Sequence, residues 1–382
     1  MCTTRRGFLR SVLGATFTGA TVLDQAIFRA TLARAQANYE LPELFDIEKV
    51  TDGIYAALAR PRTVINCNAV IFENASDLLI LDSHSKPSSV AALVRQLRRH
   101  VSDKAVRYVV ASHFHWDHSQ GLPAYRRIVP RADIIASETT RRLIDAETLP
   151  RLKESFIQLG AQAEDYKKRA GSATNPKDQS AYRQMAREID DYIREMKEFQ
   201  PELPNLTLDR DLILHDKGHD LHIAFRGRGH TSGDVVVYCP QKKTIATGDL
   251  LHGAFPFLAD AYPLDWPRTL ASVGQFELSN IIGGHGGVFR SRDRLGQMSG
   301  YIEEVTAAVA EGKRAGKSQS QLEAEITPGK LKTIQAGFGE ASARAALGFR
   351  TLPPPAPSLP NFVADSVKVN VGHIHTALDR KS

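Results

Sequence analysis

The chain has 382 residues, 42% of them hydrophobic and 24% charged, the balance of a folded water-soluble enzyme and not of a disordered or membrane-embedded chain. The net charge of +6 is unevenly placed: residues 1–37 carry five arginines against one acid, which leaves the remainder too near neutrality to argue for a nucleic acid or a membrane surface as partner. Cys2, Cys67 and Cys239 form no C-x-x-C pair, which excludes a dithiol redox motif and a cysteine-built structural zinc site.

Thr3-Thr4-Arg5-Arg6-Gly7-Phe8-Leu9-Arg10 resembles a twin-arginine export signal. A short apolar stretch, Ser11–Leu23, and a small-residue cleavage site, Ala35-Gln36-Ala37, follow it. The stretch is too short and too interrupted to remain as a stable membrane span. Residues 1–37 are therefore expected to be a signal peptide engaging the Tat export machinery, with the mature protein periplasmic or secreted. That route carries folded proteins, so a metal can be loaded before transport. In an exported protein a Cys67–Cys239 disulfide stays open beside the ordinary outcome of two buried free thiols.

In the mature chain a loop leads to a first strand around Ile54–Leu58. Val64–Phe72 and Leu78–Leu81 read as two strands of a hairpin turning at residues 73–77. Val90, Leu93, Val94 and Leu97 recur at helical spacing, so Ser88 or Ser89 is expected to cap a helix ending near His100. Val106–Ala111 is the next strand and Ile134–Ala136 a short one. Residues 138–200 are polar and helical, broken at Gly171–Pro176 into a helix pair that is either surface decoration or a lid over a site. Strands return at Leu206–Leu208, Leu212–Leu214, Leu221–Phe225, Val235–Cys239 and Thr244–Thr247, then a helix at Trp266–Phe276 and a strand at Asn280–Ile282. Helices are expected over Gly300–Lys317 and within Ser318–Gly348. A proline-rich linker, Thr351–Pro360, leads to a tail that either packs back or stays mobile.

The chemistry concentrates where the strand Val106–Ala111 ends. His113-Phe114-His115-Trp116-Asp117-His118 places three imidazoles and a carboxylate in six residues, donors suited to zinc and other borderline divalent metals. Later strands end in lone donors flanked by glycine: Gly229-His230-Thr231, Gly248-Asp249 and Gly284-His285-Gly286. His215, His219 and His222 read as a solvated turn, and His373-Ile374-His375 as incidental.

In these four segments the chain resembles the metallo-β-lactamase-fold superfamily over roughly residues 45–300. The resemblance implies an α/β (α+β) fold, a four-layer αββα sandwich carrying the helical insertion and extra C-terminal helices. The catalytic domain would span 38–350 and a Pro-rich linker and tail 351–382. It also implies a ligand set. His113, His115 and His230 would hold one Zn2+, and Asp117, His118 and His285 a second. Asp249 would bridge the two ions, with iron or manganese as the other divalent candidates. Asp82 would support a ligand imidazole, although His84 stands where the family has glycine. A two-metal centre activates water near neutral pH, and Asp117 would orient it and relay a proton.

Asp249 and His118 differ from the pattern of antibiotic-hydrolysing members and look like the glyoxalase II and lactonase branch. The expected activity is hydrolysis of an ester, lactone, thioester or amide in a small-molecule substrate. The alternatives are a persulfide-dioxygenase-like or di-iron redox enzyme on the same fold, a β-lactamase, or a non-catalytic periplasmic partner. Substrate contacts are expected after the bridging ligand, from His252, Phe255, Phe257, Tyr262 and Trp266. Oligomeric state is left open.

Overall fold

The computed structural model describes residues 43–380, so the signal peptide expected over residues 1–37 lies outside the described residues. Within them two sheets stack face to face. The first has seven strands in sequence order: β1 (Phe45–Thr51), β2 (Ile54–Ala59), β3 (Ala69–Glu73), β4 (Asp77–Leu81), β5 (Ala105–Val110), β6 (Asp133–Ser137) and β7 (Leu206–Leu208). The first four pair antiparallel, β2 and β3 across the loop of residues 60–68, whereas β4 to β7 run parallel. Parallel neighbours need crossovers, and helices supply them. α1 (Pro87–His100) links β4 to β5, and α2 (Trp116–Ser119) with α3 (Leu122–Ile128) links β5 to β6. α4 (Glu138–Ser172) and α5 (Pro176–Met196) link β6 to β7.

The second sheet has the order β13-β12-β11-β10-β9-β8, built from β8 (Asp211–His215), β9 (Asp220–Phe225), β10 (Val235–Cys239), β11 (Thr244–Gly248), β12 (Asn280–Gly283) and β13 (Val288–Phe289). Only β11 and β12 pair parallel there, and α6 (Trp266–Val273) is their crossover helix. α7 (Asp293–Arg314), α8 (Gln319–Glu325), α9 (Gly339–Leu347) and α10 (Leu359–Ala377) follow.

Strand periodicity sorts the side chains into layers. Val70, Phe72, Leu79 and Leu81 face the second sheet, while Ala69, Ile71, Leu78 and Ile80 face the outer helices with Val90, Leu93 and Leu97 of α1. In the second sheet Val235, Val237 and Ala246 meet the first, and Val236, Ile245 and Ile281 meet Leu270 of α6 and Ile302 and Val305 of α7. Both faces of the central strands, such as β10 and β11, are covered, which is why these strands read as continuous apolar runs and not as alternating ones.

Several expectations need correction. β1 falls where a loop is expected; it is an edge strand with a register shift between Lys49 and Thr51, where the charges of Asp46, Glu48 and Lys49 are tolerated. The run Val64–Phe72 is strand only from Ala69. Neither serine caps α1: Lys86 is the cap residue and Pro87 opens the helix. Ser88 instead donates from its backbone N and its Oγ to Glu195 of α5, at 2.6 and 2.7 Å. α7 begins at Asp293, seven residues early. The tail packs back: Ser358 caps α10, whose Val367, Val371 and Ile374 are fully buried against the helical layer of the second sheet. Cys67 and Cys239 are free and buried.

The insertion is an antiparallel helix pair with its own apolar seam, including Tyr166, Tyr182, Met185, Ile189 and Tyr192. It is also tied to the body, since Tyr192 Oη donates to buried Gln120 at 2.7 Å. Among the described residues no helix is long and apolar enough to cross a membrane.

Candidate metal centre

Parallel pairing sets where the donors fall. β4 and β5 end at the same edge of the first sheet, as β11 and β12 do in the second, and antiparallel β10 begins beside the end of β11. The loops leaving these points carry Asp82, the segment 113–118, Asp249, His285 and His230. Cross-sheet hydrogen bonds hold the edge together. Val235 N donates to Ser112 O at 2.9 Å, and Asn68 N donates to Gly284 O at 2.7 Å. Buried Asn68 also donates from Nδ2 to Gly283 O and Gly286 O at 3.0 and 2.8 Å, fixing the turn that bears His285.

The seven donors converge. His113, His115 and His230 offer ring nitrogens within 4.8 Å of one another, as do the donor atoms of Asp117, His118 and His285. Asp249 forms a third such group with His113 and His118, between the other two. Its Oδ1 lies 3.5 Å from His118 Nε2, and its Oδ2 lies 3.5 Å from His285 Nε2 and 3.7 Å from His230 Nε2. Asp117 Oδ2 lies 3.1 Å from His285 Nε2. All seven side chains are buried or nearly so.

Each imidazole of the 113–118 segment has one nitrogen occupied by a neighbour. His113 Nδ1 lies 2.9 Å from Ser112 Oγ, His115 Nε2 2.9 Å from Asp260 Oδ2, and His118 Nδ1 2.8 Å from Asp82 Oδ2. Such contacts fix the tautomer and leave the other nitrogen facing the cluster. His113 Nε2, His118 Nε2 and Asp249 Oδ1 are buried without a hydrogen-bond partner. Buried polar atoms are normally paired, so three unpartnered donors aimed at one another are the signature of a metal site. The His/Asp set fits a borderline divalent ion.

Electrostatics at His113, His230 and the two carboxylates agree with that fit. Burial holds the His113 and His230 imidazoles well below their ordinary value, keeping lone pairs available. Burial opposes ionisation of Asp249, but the imidazoles of His285 and His118 outweigh it and hold the carboxyl well below the usual range. In Asp117 the same opposition is overcome by His118 and His285, and the group is lowered to about 2.

Asp82 organises the first loop. Its Oδ1 accepts from Ser112 N at 2.8 Å, and its Oδ2 accepts from Ser112 Oγ at 2.9 Å besides contacting His118. Asp82 and His84 both take left-handed backbone conformations, φ 72° and 66°. The turn that the resemblance associates with glycine is thus kept with histidine, its ring stacked on Phe45 at 4.3 Å and its Nδ1 3.0 Å from Cys67 O.

The aromatic candidates separate. Phe257 is half exposed with its ring 5.7 Å from His115 and 6.3 Å from His230, so it lines the opening. His252 is buried 5.9 Å from the His285 ring, its Nδ1 without a partner, and burial lowers it to about 4. Trp266 is fully buried 5.7 Å behind His230 and donates from Nε1 to Leu250 O at 2.9 Å, a packing role. Phe255 packs on Tyr301 and Phe338, away from an opening. Tyr262 lies under the Arg228 guanidinium at 4.5 Å, with its backbone N donating to Gly229 O. The run 215–222 holds no metal-type cluster: His215 pairs with Asp220, and His219, buried and not solvated, contacts Asn74 Oδ1 at 3.0 Å. His373 joins no metal-type group among the described residues; α10 brings its ring 5.4 Å from that of Phe257.

Sequence reasoning missed Asp260 and Phe349. A lone acid in the apolar run Leu258–Tyr262 was the available signal for Asp260. Phe349, whose ring stacks on His285 at 4.5 Å, had no local signal.

A two-sheet sandwich covered by helices on both outer faces, with a His/Asp cluster at one edge that fits a metal, defines an αββα protein with a candidate metal site. The sequence model of the metallo-beta-lactamase superfamily matches residues 62–285, and the chain belongs to that superfamily. Solved structures similar to this chain are of low identity to it. A metallo-beta-lactamase from Pontibacter korlensis is 18% identical with a TM-score of 0.49, the match covering 68% of this chain and 99% of that one. The DIM-1 metallo-beta-lactamase is 18% identical with a TM-score of 0.48, covering 69% and 99%. VMB-1 is 15% identical with a TM-score of 0.48, covering 69% and 98%.

Proposed function

We propose that this chain is an exported metal-dependent hydrolase with a dinuclear centre, zinc by donor type, that cleaves an ester, lactone, thioester or amide. The observation that carries the reading is the pair of buried donor triads joined by Asp249, with His113 Nε2, His118 Nε2 and Asp249 Oδ1 left without protein partners. His113, His115 and His230 would hold one ion, Asp117, His118 and His285 the other, and Asp249 would serve both. Ions bound there would supply Lewis acidity toward a carbonyl and acidify water.

The chain's own groups do the rest. Asp117, ionised and 3.1 Å from His285 Nε2, would accept and return a proton at Oδ2. Phe257 gives the opening an apolar wall for the substrate. Asp249, where the antibiotic-hydrolysing relatives generally carry cysteine or serine, supports an ester-type substrate over a β-lactam. The twin-arginine leader supports delivery to the periplasm or beyond.

The test is purified mature protein with metal content measured alongside turnover of lactones, thioesters, esters, amides and β-lactams. About two zinc ions per chain and turnover of one carbonyl class are expected. One iron per chain with sulfur-dependent oxygen uptake overturns the hydrolase reading, and β-lactam turnover matching the best ester overturns the substrate reading.

A further inference from the structure

We propose that Arg151 and Asp260 are positioning residues for His115, which makes the inserted helix pair a working part of the metal centre and not a decoration. This rests on the metal-binding reading above.

His115 turns its ring opposite to His113 of the same loop. Its Nε2 is taken by Asp260 Oδ2 at 2.9 Å, so Nδ1 faces the cluster, 2.8 Å from His230 Nε2. Asp260 comes from the loop after β11 and is itself clamped by the insertion. Arg151 of α4 donates from Nη1 to Asp260 Oδ2 at 2.8 Å and from Nη2 to Oδ1 at 3.0 Å. A two-point guanidinium–carboxylate pair fixes the carboxylate plane as well as its position. Arg151 is restrained in turn: its Nε donates to Glu147 Oε2 at 3.3 Å, and its guanidinium lies 4.9 Å over the ring of Phe114, the residue preceding His115.

An exposed ion pair by itself contributes little. Here one oxygen, Asp260 Oδ2, meets both the arginine and the ligand imidazole, so rotation of the carboxylate would release His115 to turn. Two elements far apart in sequence, the insertion and the loop after β11, thereby set which nitrogen of His115 faces the cluster.

The competing explanation is that Arg151–Asp260 only docks the helices onto the body. Both predict a lower melting temperature on substitution, but only positioning predicts a change in the metal site. The test uses the full mature chain with Asp260→Asn, Arg151→Ala and Arg151→Lys. Zn2+ affinity is measured by competition with a chromophoric chelator, and the visible spectrum of the Co2+-loaded protein reports ligand geometry. Loss of an outer carboxylate on a ligand histidine costs about 10–100-fold in metal affinity. That loss is expected for Asp260→Asn at one of two sites, with a shifted Co2+ spectrum. A smaller loss is expected for Arg151→Ala, partly recovered in Arg151→Lys. Zn2+ affinity within twofold of the parent and an unchanged Co2+ spectrum in all three variants overturn the proposal, whatever happens to the melting temperature. A parent chain that binds metal but hydrolyses nothing in the panel defeats the hydrolase reading alone. A parent that binds no metal defeats both.

Discussion

Gly284→Ala gives the sharpest test of the metal centre, because the substitution adds one methyl group and removes no donor. A Cβ at residue 284 would lie 2.2 Å from Asp249 Oδ1, 2.8 Å from His118 Cε1 and 3.1 Å from the Gly248 carbonyl carbon. The backbone at 284 is not in a left-handed conformation, so alanine carries no conformational penalty of its own. The Gly248 backbone is anchored, since Gly284 N donates to its carbonyl at 2.8 Å. Asp249 and His118 must therefore move by about 1 Å to reach ordinary contact, a displacement that in a working site costs roughly 100-fold. Overpacking of this size destabilises a fold by about 1–3 kcal/mol, so the variant should still fold. The expected result is a native circular dichroism spectrum, a melting temperature lowered by a few degrees, and metal affinity reduced at least tenfold. The assay is metal content after gel filtration together with chelator competition. A variant that keeps two tightly bound ions would show that the Asp249–His118 geometry is not what holds them.

Three further outcomes follow from the same structure. Removing metal with a chelator should abolish turnover and lower the melting temperature, because an ion at 100–1,000 times its dissociation constant stabilises by about 3–4 kcal/mol; calorimetry with and without Zn2+ reads this, and equal melting curves would contradict it. Burial holds the His84 imidazole down at about 3 in the fold, below its ordinary 6.5. Its contribution is complete above 6.5 and is lost as pH falls from there toward 3, on the order of 5 kcal/mol in all. Urea unfolding at pH 7 and at pH 4.5 should therefore lose less stability in His84→Asn, where asparagine tolerates the φ of 66°; parallel losses in both proteins would refute this. Finally, the buried Arg294 donates to the carbonyls of His252, Gly253 and Ala254 and to Ser342 Oγ, all at 2.7–3.0 Å. Arg294→Met should destabilise by about 2–4 kcal/mol through the acceptors left unpaired, and a change under 0.5 kcal/mol in chemical denaturation would count against it.

Local chemistry decided much of what the sequence disclosed. Strand runs such as Val235–Cys239 are legible because both faces are buried, and the donor types at 113–118, 230, 249 and 285 stand out because histidine and aspartate beside glycine at strand ends serve no core. The superfamily could be identified from those segments. β1 was not legible, since an edge strand tolerates the charges that mask its period. The packing of α10 was not legible either, because its apolar face acquires meaning only against the second sheet's helical layer.

The sequence by itself determined which residues could bind a metal and where strands would end. Only the tertiary structure decided that these ends share one edge, which nitrogen of each imidazole faces inward, and that Asp260, 145 positions after His115, completes the arrangement. The reason is physical: side-chain type and strand period are local properties, whereas ring orientation is set by hydrogen-bond partners that only the packing of two sheets and an inserted helix pair brings within reach.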